Sequence, residues 1–137
     1  MKEITVQATI ENIEPVTDFV NEQLDAIGCP LKARMQIDVA IDELFSNIAH
    51  YAYHPETGQA VVKVDEEADP PAVCITFVDN GVPYDPLAKE DPDITLSADE
   101  RQIGGLGIYM VKKTMDDLSY KRTEFENILT MKKQILA

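Results

Sequence analysis

The stretch LKARMQIDVAIDELFSNIAHY, residues 31–51, decides the fold. Ile37, Ile41, Leu44 and Ile48 fall at helical spacing, Ala52 continues the series, and Met35, Val39 and Phe45 widen the buried stripe. A helix from about Leu31 to Tyr51 is the longest such element, and Cys29-Pro30 breaks the pattern just before it. A shorter helix is expected upstream. Asn12 caps it, Pro15 sits in its first turn where a missing N–H costs nothing, and Val16, Phe19, Val20, Leu24 and Ile27 form a stripe ending at Gly28. Earlier still, Ile4, Val6 and Ala8 alternate with Glu3, Thr5 and Gln7, which reads as a strand with one face inward.

Downstream of residue 51, His54-Pro55-Glu56-Thr57-Gly58 is turn chemistry. Val61, Val62 and Val64 form a strand, Glu66 to Pro71 an acidic turn, and Val73 to Val78 the returning strand. Asp85 to Ile103 holds two prolines and little apolar periodicity, a long surface loop of the kind that is usually functional. A helix opens at Gly104-Gly105-Leu106-Gly107 with Ile108, Met110, Val111 and Met115 inward. A closing hairpin runs from about Leu118 to Arg122 and from Glu126 to Lys133, joined at Thr123-Glu124-Phe125. The order β-α-α-β-β-loop-α-β-β predicts an α+β fold: a two-layer α/β sandwich with helices on one face of a mostly antiparallel, mixed sheet, as a single domain over 1–137.

The 137 residues are 45% apolar, enough for one core. Their 25 acidic and 12 basic residues give a net charge of −13, with no Lys/Arg cluster to track a phosphate backbone, so nucleic acid and anionic membrane are poor partners. A site for a phosphorylated ligand must then rely on a metal ion, backbone N–H groups and a helix N-terminus. Cys29 and Cys74 fit no C-x-x-C pattern and read as free thiols, and no apolar run approaches the ~18 residues needed to span a bilayer. A soluble, cytoplasmic protein is expected.

Three segments hold residues suited to chemistry. In IDELFSN, a spacing of four puts Glu43 and Asn47 on one side of the helix, beside the apolar stripe. An amide oxygen suits a hard cation such as Mg²⁺, and a carboxylate one turn earlier can accept a proton, although an acid and an amide at this spacing are by themselves usually solvated helix surface. In FVDNGVPYDP, a strand runs into Asp79 and Gly81. A carboxylate beside apolar walls can accept a hydrogen bond from an exocyclic amine such as that of adenine, although Asp-Asn-Gly is also good turn chemistry. The glycines at 104, 105 and 107 precede a helix, where exposed N–H groups and the helix dipole favour phosphate oxygens. They form neither a Walker A loop nor a dinucleotide fingerprint, since Met110 stands where a third glycine would be. His50 and His54 have the spacing of a zinc pair, but Pro55 marks the helix end and no third ligand stands out.

In order and spacing the three segments resemble the boxes of the superfamily that joins gyrase, heat-shock chaperones, histidine kinases and mismatch-repair ATPases, and most closely the bacterial anti-sigma factor serine/threonine-protein kinases. Glu43 and Asn47 match the E-x-x-x-N box, followed by His50 and Tyr53 in a His-Ala-Tyr-like stretch. Asp79 and Gly81 match the D-x-G box and Tyr84-Asp85-Pro86 its aromatic-Asp-Pro tail, while Gly105-Leu106-Gly107 and Ile108 to Val111 match the glycine box.

The resemblance implies a histidine kinase-like ATPase fold that takes ATP and Mg²⁺. It implies that Asn47 holds Mg²⁺, that Glu43 is the general base, that Asp79 and Gly81 receive adenine, and that Gly104, Gly105, Leu106 and Gly107 hold phosphates. Residues of about 87–103 would be the lid, acidic here, with Lys89 and Arg101 as its cations. The implied activity is phosphorylation of a serine on a STAS-type anti-anti-sigma partner, with a sigma factor as the competing partner and homodimerisation on the same grounds. Two other readings are a regulator that sequesters a partner without phosphorylating it, and a detached histidine kinase catalytic domain, against which the strand-first N-terminus counts.

Overall fold

The computed structural model describes residues 1–88 and 106–135. Five strands and three helices follow the expected order: β1 (Lys2–Gln7), α1 (Ile13–Ala26), α2 (Leu31–Tyr51), β2 (Gln59–Ala68), β3 (Pro71–Asp79), α3 (Leu106–Thr114), β4 (Asp117–Arg122) and β5 (Asn127–Gln134). The strands form one sheet in the order β1-β2-β3-β5-β4. All four of its pairings are antiparallel, so the parallel component that a mixed sheet would have is absent among the described residues.

The core lies between that sheet and the helices. Ala60, Val62 and Val64 of β2 alternate with part-exposed Val61 and Lys63, and the same parity brings Ile75 and Phe77 of β3 and Leu129 and Met131 of β5 to the inner face. Val16, Val20 and Leu24 of α1, Ile37, Ile41, Leu44 and Phe45 of α2, and Ile108 and Val111 of α3 pack into the same cluster. Each fully buried side chain of this size contributes about 1.5–3 kcal/mol relative to an exposed one.

Several expectations are corrected in detail. Met35 and Val39 are exposed by 59% and 58%, because α2 buries the stripe through Ile37, Ile41 and Leu44 and turns the neighbouring Leu31-Met35-Val39 row outward. Met110 likewise lies outward on α3, while Met115 is buried. Asn12 occupies the position before α1, but its amide caps nothing there and instead donates to Gln7 O at 2.8 Å, tying the end of β1 to the start of the helix. The expected Glu66–Pro71 turn is shorter, since Glu66, Glu67 and Ala68 pair with Val73, Ala72 and Pro71. The Glu66 and Glu67 side chains are exposed, so acidic residues extend the ladder at little desolvation cost, and Glu67 meets Lys132 of β5 at 2.6 Å.

Gly28 ends α1 as the stripe predicts. Its φ is +69°, and the Cys29 N–H to Leu24 O and Gly28 N–H to Asp25 O bonds close the left-handed cap that satisfies the last carbonyls. A Cβ at this position would meet nothing within 4 Å, so the cost of a side chain is conformational alone. Gly28→Ala is expected to lower unfolding free energy by about 1 kcal/mol, and Gly28→Asn by less. Urea unfolding reads both, and an unchanged midpoint for the alanine variant would contradict the cap.

Candidate functional site

A narrow cleft lies between the C-terminal half of α2 and the ends of β3, β4 and β5. Leu44, Ile48, Ala52, Phe77 and Leu129 form its apolar wall, and Asn47, Asp79, Tyr84, Tyr120 and Asn127 bring polar groups to it. The second and first boxes of the sequence thus meet in one cavity, because α2 crosses the sheet so that Asn47 stands over the end of β3.

Asp79 is 5% exposed, an unusual depth for a carboxylate. Its Oδ1 accepts from Gly81 N at 2.9 Å and from Asn127 Nδ2 at 2.9 Å, while Oδ2 has no hydrogen bond among the described residues and belongs to the cleft. Gly81 sits under the end of α2: a Cβ there would lie 2.2 Å from Ala52 O, and Val82 N donates to the same carbonyl at 2.9 Å. Helix packing therefore already demands a glycine at 81, before any approach of a ligand. Beyond it, the Tyr84 ring packs tilted against Tyr51 with centroids 5.3 Å apart, and Asp85 Oδ1 accepts from Leu87 N at 2.9 Å to open a short 3₁₀ turn over Pro86–Ala88.

Tyr53, from the His-Ala-Tyr-like stretch, braces this loop. Its hydroxyl donates to Gln59 O at 2.6 Å and accepts from Asn80 N at 2.7 Å. Burial pushes the phenol above its ordinary range, the Asn80 N–H opposing and the Asp79 charge adding to the shift, so the bridge keeps its proton.

Asn47 is one helical turn after Glu43. Its Nδ2 is buried with no hydrogen-bond partner, a costly state that a polar ligand in the cleft would relieve. At Gly107, on the first turn of α3, a Cβ would lie 2.2 Å from both Cδ and Oε2 of Glu43. The third box thus reaches the first by direct contact between the helix backbone and the carboxylate. Gly104 and Gly105, and the expected lid beyond Ala88 with Lys89 and Arg101, lie outside the described residues. His50 and His54 flank a surface recess with Tyr51, and no group of three or more metal-binding side chains exists among the described residues. No helix among them is long and apolar enough to cross a membrane.

Sequence reasoning missed Asn127 and Tyr120. Both sit in the strands of the closing hairpin, where neither residue type stands out by itself. The available signal was register: Asn127 faces Asp79 across the β3–β5 ladder, and strand parity puts Tyr120 on the inner face.

A model of the histidine kinase-like ATPase domain matches residues 6–133, and the chain belongs to that family. Among individual relatives, it is 30% identical over 100 residues to the serine/threonine-protein kinase BtrW of Bordetella bronchiseptica, covering 73% of this chain and 70% of BtrW. It is 30% identical over 98 residues to the serine-protein kinase RsbW of Bacillus cereus, covering 69% of this chain and 60% of RsbW. The fold is shared with the RsbU and RsbW domains of a Mycobacterium tuberculosis protein, with a TM-score of 0.67 at 16% identity, covering 98% of this chain and 33% of that one. It is also shared with the histidine kinase domain of a blue-light activated kinase from Erythrobacter litoralis, with a TM-score of 0.50 at 14% identity, covering 77% and 46%. The resemblance to serine kinases read from the three boxes therefore stands.

The two close-contact glycines separate in their cost. Gly81→Ala drives a Cβ into backbone and is expected to lose about 1–3 kcal/mol. Gly107→Ala meets the swinging end of a Glu side chain, in a helix that favours alanine, and is expected to lose far less. Parallel urea titrations compare them, and equal losses would contradict the packing of Gly81 on Ala52.

Proposed function

We propose that this chain is an ATP-dependent protein-serine kinase that regulates transcription by phosphorylating a STAS-type anti-anti-sigma partner, with a sigma factor as its other partner. The observation that carries the reading is the meeting of three separated stretches: Asn47 and Asp79 line one cleft, and Gly107 rests on the carboxylate of Glu43. The serine-kinase names of BtrW and RsbW support the choice of acceptor.

Asp79 Oδ2 accepts a hydrogen bond from the adenine amine, and the apolar wall takes the ring. Backbone N–H groups at the start of α3, with the glycines before it, receive phosphate oxygens, which suits a protein of net charge −13. Asn47 and Glu43 offer hard oxygen donors one turn apart and fit Mg²⁺, with Asn47 as the direct ligand; the ion would neutralise charge on the phosphates. In transfer, the serine hydroxyl oxygen bonds to the γ-phosphorus, the bond from that phosphorus to ADP breaks, and Glu43 takes the hydroxyl proton. Positioning supplies most of the acceleration.

Three variants test these roles. Asn47→Ala is expected to weaken Mg-ATP binding by at least about tenfold. Glu43→Ala is expected to keep ATP binding and lose transfer by on the order of 10²–10⁴-fold. Calorimetry and labelled-ATP transfer to a STAS protein measure them, and unchanged ATP affinity in Asn47→Ala would remove the metal role. Acid-stable label on serine is the expected product. Acid-labile label would indicate histidine, and binding without transfer would indicate a sequestering regulator.

In Asp79→Asn, the donors Asn127 and Gly81 draw the new amide oxygen to the Oδ1 position, so its NH₂ faces the adenine amine donor to donor. ATP affinity should fall more than affinity for purine riboside triphosphate, which lacks that amine. Equal falls would contradict adenine recognition.

A further inference from the structure

Asn127 is 6% exposed and stands opposite Asp79 in the β3–β5 ladder. Its carboxamide is fully used. Nδ2 donates to Asp79 Oδ1 at 2.9 Å and to Val82 O at 2.8 Å, while Oδ1 accepts from Tyr84 N at 3.3 Å and from the Tyr120 hydroxyl. A primary amide offers two donors and two lone pairs, so nothing remains for a ligand. The donors from Tyr84 and Tyr120 also fix which end of the amide meets Asp79, since only its oxygen can receive them.

We propose that Asn127 is a positioning residue that sets base selectivity: it clamps one oxygen of Asp79 so that the other is a single, fixed acceptor in the cleft. A carboxylate free to turn about its side-chain bond can offer either oxygen in several directions and tolerate different base edges. Here Oδ1 is held by Asn127 and Gly81 N, and Oδ2 alone is presented. A base edge that donates a hydrogen bond is accepted. A carbonyl in the same place meets an acceptor with no room to re-aim, which costs a buried polar pairing on each side. The same amide holds Val82 and Tyr84, so reader and loop are fixed together.

The proposal rests on the reading of Asp79 as the adenine acceptor and assigns selectivity to a residue that lines the cleft but has no hydrogen-bonding capacity left for a ligand. It is tested with Asn127→Ser and Tyr120→Phe, the second removing one orienting donor while keeping the amide and the ring. Affinity, kcat and KM are measured for ATP and for inosine triphosphate, which carries a carbonyl where adenine has its amine, with thermal unfolding to show that each variant is folded. The wild-type chain is expected to favour ATP by about tenfold or more. In Asn127→Ser the preference should fall to within about threefold, with KM for ATP raised and kcat nearly kept, and Tyr120→Phe should fall between the two. A wild-type preference retained in folded Asn127→Ser, or in Tyr120→Phe where the serine variant does not fold, overturns the proposal. So does a loss that is equal for both nucleotides, which would make the amide purely structural. A wild-type chain with no preference for ATP overturns the adenine reading of Asp79 itself.

Discussion

The seating of α2 on the inner face of the sheet governs the rest of the molecule. Ile37, Ile41, Leu44 and Phe45 are each 1% exposed or less and share a core with Ile75 and Phe77. Successive helical positions differ by about 100° around the axis, so a slip of one residue would pull this row out of the core at a cost of several kcal/mol. Leu44 belongs to the core and to the cleft wall at once. The hydrophobic contact that folds the chain therefore also aims Glu43 and Asn47, and a polar site needs no separate device to find its place.

That arrangement suits an acidic protein. The described lining of the cleft holds no Lys or Arg, and its single ionisable carboxylate is tied by backbone and amide N–H groups. Directional hydrogen bonds from fixed donors replace the long-range attraction that a basic pocket would give. Such bonds work at short range and in one geometry, which favours selectivity over general affinity for anions.

Much of this was legible in the sequence because it follows from periodicity. The bounds of α2, the order of elements and the two hairpins all come from apolar spacing, and the boxes from residue types at fixed intervals. Misreadings arose where spacing is ambiguous. Met35 and Val39 share the helical period of the buried row, and only tertiary packing decides which of two adjacent rows faces inward. Asn12 has the chemistry of a cap, yet its Nδ2 donates to the Gln7 carbonyl and its oxygen accepts from no helix N–H. Gly81 reads as a turn glycine, whereas the pressure on it comes from Ala52, which is remote in sequence. Asn127 was invisible for the same reason, since its meaning depends on a partner in another strand.

The loop after β3 is stitched to its surroundings from several sides: Asn80 to Tyr53 and Phe125, Gly81 to Arg122, and Val82 to Ala52 and Asn127. So many fasteners on three consecutive residues make this flank of the cleft a stiff frame, with its geometry settled before any guest arrives. Little entropy would then be left to lose on that side on binding a ligand. The chain thus sets one wall of the cleft with the same bonds that end its longest helix and close its last hairpin.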